Sequence, residues 1–226
     1  MNINYMLIIK AIYTGLFIGA AIAIPMGPAG FESVRWTITK GFKQGILVAA
    51  GSIIADAIDV MLINFGLLEL IETNKLLEIC FWEVSGIIIL FIGIKAIRNS
   101  KKRSLEESKE LEEEDTKSSA LFTGFIVNFS NPMTHFFWLT LSSTVIRIWR
   151  SYGKLVYFIF AVFMLCGMFI SLWAINLLAS HGKKFTTPKV SGKFTNLLSY
   201  VICAFGIGFL INGIYKLWVY MGYFNW

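Results

Sequence analysis

The sequence predicts an all-α membrane protein with six transmembrane helices arranged as two inverted three-helix repeats. Three observations carry this: composition, the lengths of the apolar runs, and motifs that recur in order in the two halves. The 226 residues are 56% hydrophobic, 15% aromatic and 15% charged, with a mean hydropathy of +0.67. That is too apolar for a soluble domain, for a disordered chain or for a secreted disulfide scaffold. Cys80, Cys166 and Cys203 are far apart in apolar surroundings and lack metal or redox spacing, so they are expected to be small core hydrophobes. The net charge of +6 has no basic stripe with interleaved aromatics to present to nucleic acid.

The first apolar run covers residues 6–24, interrupted by Lys10, and ends at Pro25-Met26-Gly27-Pro28. Ala21-Ile22-Ala23 resembles a signal-peptidase site, but no positive residue precedes the run and more runs follow. A polar, helix-compatible stretch at 29–44 leads to a second run at 45–68, and a third covers 79–97. Residues 98–119 are densely charged, from Lys101-Lys102-Arg103 to the acidic stretch ending at Asp115, and read as a solvated, part-helical linker. A fourth run at 120–148 is broken at Asn131-Pro132, and runs at 155–179 and 197–219 complete six. Each is long enough for a hydrocarbon core of about 30 Å. The chain therefore divides into a first repeat (1–97), a charged cytoplasmic linker (98–119) and a second repeat (120–226).

Lys and Arg set the orientation. With the N-terminus outside, the inner loops collect Arg35, Lys40 and Lys43, then seven charges from Lys95 to Lys117, then Lys183, Lys184, Lys189 and Lys193. Both termini of this multi-pass cell-membrane protein are accordingly expected outside.

The halves answer each other. Thr14-Gly15-Leu16-Phe17-Ile18 matches Thr123-Gly124-Phe125-Ile126-Val127, and each precedes a proline-centred break. Ile63-Asn64 matches Ile175-Asn176, and Gly86 and Gly93 match Gly206 and Gly213. A three-span unit repeated in one chain must enter the membrane from opposite sides, the architecture of many secondary transporters.

In such proteins paired helix breaks mark the substrate site, because they expose backbone amides inside the membrane. Gly27 permits a bend and Pro28 suits the first turn of a helix running into Glu32. Asn131 suits an N-cap and Pro132 a first turn. Two helix N-termini would then offer partial positive charge to a carboxylate. Pro25, Gly27, Pro28, Glu32, Asn131 and Pro132 are the candidate substrate-binding residues, against the plainer reading that the prolines only kink helices. Asp56 and Asp59 share one face of the second span, where an aspartate costs roughly 2.5–3.5 kcal/mol to insert. They suggest proton or cation coupling or capture of a substrate ammonium, the alternative being pairing with a buried polar neighbour. Glu83 is expected to snorkel to the interface. His135, one turn beyond Asn131, either titrates with transport or is a hydrogen-bonded packing residue.

At Pro25-Met26-Gly27-Pro28, at Lys40-Gly41, at Ala55-Asp56 and at Asn131-Pro132 the chain resembles the lysine-exporter (LysE/RhtB) family of amino-acid efflux proteins. The resemblance covers nearly the whole chain and implies six spans, a charged loop between the third and fourth, and export of amino acids. Many of the family's basic-amino-acid exporters carry Gln-Asn after the second signature proline, where this chain has Ala29-Gly30 with Glu32 close by, so lysine or arginine does not follow. The expected function is secondary export of an amino acid or similar small zwitterion, coupled to a proton or cation gradient. The alternative is a divalent metal cation exporter of the same superfamily. No Walker A loop is present, and two aspartates on one helix lack the facing geometry of a protease dyad, so no enzyme activity is expected. The expected partners are the lipid bilayer, a small amino-acid-like substrate and a coupling proton or cation. No cofactor, no metal and no nucleic acid are expected, and a homo-oligomer is left open.

Overall fold

The computed structural model describes residues 5–24, 27–64, 73–105, 116–184 and 188–224, and the elements among them are all helical. They are α1 (Tyr5–Ala23), α2 (Pro28–Lys40), α3 (Phe42–Asn64), α4 (Lys75–Leu105), α5 (Thr116–Phe129), α6 (Pro132–Leu141), a single π-helical turn (Ser142–Ile146), α7 (Arg147–Ser151), α8 (Lys154–Lys184) and α9 (Pro188–Phe224). Five of them, α1, α3, α4, α8 and α9, are long and apolar enough to cross a membrane. The fourth apolar run is a series of short helices: α5 stops at Phe129, and α6 starts afresh at Pro132.

Local chemistry explains the boundaries. Gly27 precedes α2 in extended conformation and Pro28 takes its first position, where a missing N–H costs nothing. Gly41 ends α2 at φ +100° and returns its N–H to the Thr37 carbonyl at 3.1 Å, and Gly153 makes the equivalent turn before α8 at φ +105°. Both need the left-handed region that glycine enters without a Cβ clash. Asn74 caps α4, its Oδ1 accepting from Leu76 N at 3.1 Å and from Leu77 N at 3.2 Å.

Packing across the two halves is dominated by three seams, α1 on α8, α3 on α5, and α4 on α9. Glycines let the backbones meet: Gly15 and Gly19 face Phe160 and Met164, Gly124 faces Val48, Gly51 faces Leu121, Gly86 faces Leu210 and Gly206 faces Leu90. A Cβ on Gly206 would stand 2.6 Å from Leu90 N, closer than real contacts allow. Small residues at crossings are the means by which membrane helices gain dispersion contact where burial from water contributes little. Large apolar side chains such as Phe17, Leu178 and Trp218 point outward, as a bilayer-facing surface requires. Gly124→Leu is expected to force α3 and α5 apart and to lower the detergent-solubilised melting temperature, with a loss of about 1–3 kcal/mol from overpacking; a normal melting curve would contradict this packing.

Four expectations change. The stretch at 29–44, read as helix-compatible and counted with the inner loops, is helical from Pro28 to Lys40 but enclosed: α2 has ten buried residues from Pro28 to Ile38 and packs on α3, α8 and α9. Arg35, counted among the inner loop charges, is therefore buried at 8% exposure beside Glu32. Cys203 is buried, but Cys80 and Cys166 are exposed rather than in the core, because each falls on the outer face of its helix. Glu83 turns its Oε1 into the α4–α9 seam beside Gly213 instead of snorkelling, since that glycine leaves room for it. The expected linker at 98–119 is helical at both edges, through Leu105 and from Thr116; residues 106–115 lie outside the described residues, as does Pro25.

Candidate functional site

The two helix breaks meet. Gly27, Ala29 and Gly30 at the start of α2 and Asn131, Met133 and Thr134 at the start of α6 line one cavity of about 280 Å³. A Cβ on Gly27 would lie 3.6 Å from Asn131 Nδ2, so the breaks are in near contact across it. Pro28 and Pro132 are buried just behind, each as the first residue of its helix. Asp56 of α3 and Trp138 of α6 contribute to the lining, with Ser52 and Asn128 beside them. A larger hollow of about 400 Å³ lies between α4 and α9, far along the chain from either break, where Glu78 is already paired with Lys216 at 2.8 Å.

The breaks differ in what they offer. In α2 the first carbonyl-bonded amide is Phe31 N, to Gly27 O at 3.1 Å, so Ala29 and Gly30 belong to the first turn, whose N–H groups have no carbonyl within the helix. In α6 the Asn131 side chain accepts from Met133 N at 3.1 Å, and Thr134 N bonds Asn131 O at 3.1 Å. The expectation that both N-termini offer unpaired amides thus meets a self-capped α6. What α6 presents instead is the Asn131 carboxamide, whose Nδ2 donates to Thr134 Oγ1 at 2.8 Å, with Thr134 Oγ1 in turn donating to Asn128 Oδ1 at 3.3 Å.

Asp56 and Asp59 share a face, yet they serve different neighbours. Asp56 is 4% exposed, borders the cavity, and its Oδ1 accepts from Trp138 Nε1 at 3.0 Å. Asp59 is fully buried one turn further along α3, with Oδ1 2.7 Å from His135 Nδ1 and with no hydrogen-bond partner for Oδ2 among the described residues. His135 Nε2 lies 2.7 Å from the Phe129 carbonyl. A carbonyl only accepts, so Nε2 carries a hydrogen, and the short Nδ1···Oδ1 contact needs a proton between its two atoms. The pair holds that one proton whether it is written as acid and neutral imidazole or as carboxylate and imidazolium. Phe81 and Phe129 flank the imidazole at ring distances of 4.9 and 5.5 Å. Removing one proton would leave a single imidazole N–H for two acceptors, so a lone pair would face either the Asp59 carboxylate or the Phe129 carbonyl at 2.7 Å, and one of the two contacts would have to open.

Glu32, a candidate substrate ligand, does not line the cavity. Its carboxylate accepts from Arg35 Nε at 2.7 Å, from Arg35 Nη2 and from Trp36 Nε1 at 2.6 Å, all within α2. These donors satisfy a charge that is 1% exposed. On the same helix Thr37 Oγ1 donates to Asn176 Oδ1 at 2.6 Å and Asn176 Nδ2 donates to Ser33 Oγ at 3.0 Å, anchoring α2 to α8. Among the described residues no three His, Cys, Asp or Glu side chains converge as a metal ligand set.

Trp138, Asn128, Ser52 and Thr134 were not singled out from the sequence. Thr134 and Trp138 follow Asn131 at helical spacing, a usable signal. Asn128 and Ser52 give none, because their partnership, Asn128 Nδ2 to Ser52 O at 2.9 Å, spans the α3–α5 seam.

A polytopic helical bundle with a polar cavity at two helix breaks and acidic groups buried inside is the build of a membrane translocator. The chain belongs to the LysE type translocator family, which it matches over residues 20–213. It is 22% identical over 203 residues to the "Putative amino acid efflux protein YcgF" of Bacillus subtilis (strain 168), covering 89% of this chain and 96% of that protein. No solved structure matches it. It is a multi-pass membrane protein of an export family.

Proposed function

We propose that the protein exports an amino acid or similar small zwitterion, bound between the two helix breaks, and that a proton drives the cycle. The observation that carries this reading is the cavity where Gly27 and Asn131 face each other beside Asp56. An α-ammonium suits the Asp56 carboxylate, and an α-carboxylate suits the first-turn amides of α2 and the Asn131 carboxamide. The efflux relative gives the same class of solute in its name. Asp59 and His135 bind the coupling proton. His135 joins α6 to α3 through Asp59 and to the end of α5 through the Phe129 carbonyl, so loss of that proton opens one of these contacts and reshapes the cavity beside them.

The six spans are proposed to form two inverted repeats, with α5, α6 and α7 together making the fourth. Support comes from the contacts themselves. The offsets that superpose the repeated motifs carry the Gly15–Phe160 contact onto Gly124–Val48, Gly86–Leu210 onto Gly206–Leu90, and the turn at Gly41 onto the turn at Gly153. Exchanging the halves maps the α1–α8 seam onto α3–α5 and the α4–α9 seam onto itself.

Both termini are proposed to lie outside. In a background with the three native cysteines replaced, a cysteine at position 108 is expected to resist an impermeant thiol reagent in intact cells, and one near Asn74 to react; the reverse pattern refutes this orientation.

The function itself is tested by efflux of labelled amino acids from preloaded cells and by counterflow in proteoliposomes. Gly27→Val crowds Asn131 Nδ2, and Asn131→Leu removes the cap and the carboxamide. Each is expected to weaken apparent affinity by about tenfold, and the double variant by less than the product, because both act on one pocket. Full additivity would separate the two breaks and count against a shared site.

A further inference from the structure

We infer that the transported solute is a neutral α-amino acid with an aliphatic or thioether side chain. This rests on the exporter reading above and concerns what the same cavity admits.

The argument is a charge count over the cavity surface. Among the described residues that line it Asp56 is the one ionisable side chain, and no Lys, Arg or His is among them. The undescribed residues at the first break, Pro25 and Met26, carry no charge in the sequence. The acids that flank the cavity are committed elsewhere: Glu32 to Arg35 and Trp36, Asp59 to His135. A zwitterion's ammonium therefore uses the one negative charge available, and its carboxylate uses the partial positive end of α2. Nothing remains for a third charge. A lysine or arginine side chain would enter without a counter-ion, and a glutamate side chain would enter without a cation, each losing roughly a hundredfold or more in affinity through uncompensated burial.

The rest of the surface states what the side chain should be. Ile22, Met168 and Leu172 form an apolar wall, and Met133 and Phe137, both partly exposed, form a rim. The polar lining includes Asp56 and a hydrogen-bonded series of Ser52, Asn128, Thr134 and Asn131. At about 280 Å³ the space lies at the small end of ligand cavities, suited to one amino acid rather than a peptide. Two methionines in the lining can repack around branched or unbranched chains, so leucine, isoleucine, valine and methionine are expected to be accepted alike.

The test uses the full-length protein in proteoliposomes, with counterflow of labelled leucine and competition by unlabelled compounds. Isoleucine, valine and methionine should compete within about tenfold of leucine, while lysine, arginine and glutamate compete at least about a hundredfold more weakly. Leucine amide and 4-methylpentanoate, lacking the carboxylate and the ammonium respectively, should also compete poorly. Leu172→Glu places a second acid in the wall and should shift preference from leucine toward lysine. Lysine, glutamate or serine outcompeting leucine on the intact protein overturns the inference and leaves the exporter reading standing. Absence of counterflow with every amino acid overturns that reading and this inference with it. The wild-type panel decides the matter even where Leu172→Glu does not fold.

Discussion

Asp56→Asn is expected to abolish concentrative amino-acid export while leaving the protein folded and in the membrane. The substitution keeps an oxygen to accept from Trp138 Nε1, now 3.0 Å from Oδ1, so the cavity wall is preserved. What disappears is the one acidic side chain among the described residues that line the cavity. Truncating one partner of a desolvated charge pair costs roughly 2–5 kcal/mol, a loss of thirtyfold to several thousandfold in affinity. The same charge argument predicts a change in selectivity. In the wild type a 2-hydroxy acid, with a hydroxyl in place of the ammonium, should compete far more weakly than the amino acid, and in Asp56→Asn that difference should largely vanish. Normal export by Asp56→Asn, or unchanged discrimination, would place the ammonium elsewhere.

The second large effect concerns Asp59 and His135, where coupling and stability separate. Asp59→Asn retains a hydrogen-bonding partner for His135 Nδ1 but removes the site of the shared proton. Exchange of solute across proteoliposomes should then survive, while accumulation driven by a pH gradient should fall by about tenfold or more. His135→Leu does something different. It strands a fully buried carboxylate whose second oxygen already has no partner among the described residues. Breaking such a pair typically costs about 3–5 kcal/mol, so this variant should melt early in detergent. Adding Asp59→Asn to it removes the stranded charge and should recover most of the lost stability without restoring coupling. A double variant that regains gradient-driven transport would show that the proton binds elsewhere.

Much of this protein is legible from one sequence because the bilayer limits the alternatives. Long apolar runs must be helices, since a strand edge or loop facing lipid would leave amides unsatisfied. The breaks at Gly27-Pro28 and Asn131-Pro132 are equally local, being written in residues whose backbone preferences do not depend on neighbours. One pair of turns that would extend the proposed repeat is not legible in the sequence. Gly41 and Gly153 make matched left-handed turns, but a glycine's φ is invisible in sequence, and the surroundings Lys40-Gly41-Phe42 and Tyr152-Gly153-Lys154 share nothing else. The burial of the helix-compatible stretch at 29–44 is hidden for the opposite reason. Read alone, Arg35 counts as a loop charge and Glu32 as a substrate ligand, yet inside the bundle the two pair with one another, and Thr37 pairs with Asn176.

The sequence by itself determined the class of protein, the number of apolar runs, the positions of the helix breaks and the identities of the buried ionisable residues. Those follow from hydropathy, proline and glycine chemistry and the cost of charge in lipid, all properties of a segment considered alone. Only the tertiary structure decided that the two breaks face one cavity, that Asp56 lines it while Asp59 turns to His135, and that Glu32 is withdrawn from it. Each of these depends on how far one helix is rotated and slid against another, and that is set by where Gly124 meets Val48 and Gly15 meets Phe160 across the seams. A side chain three residues along a helix points to a different neighbour only once the neighbour is in place.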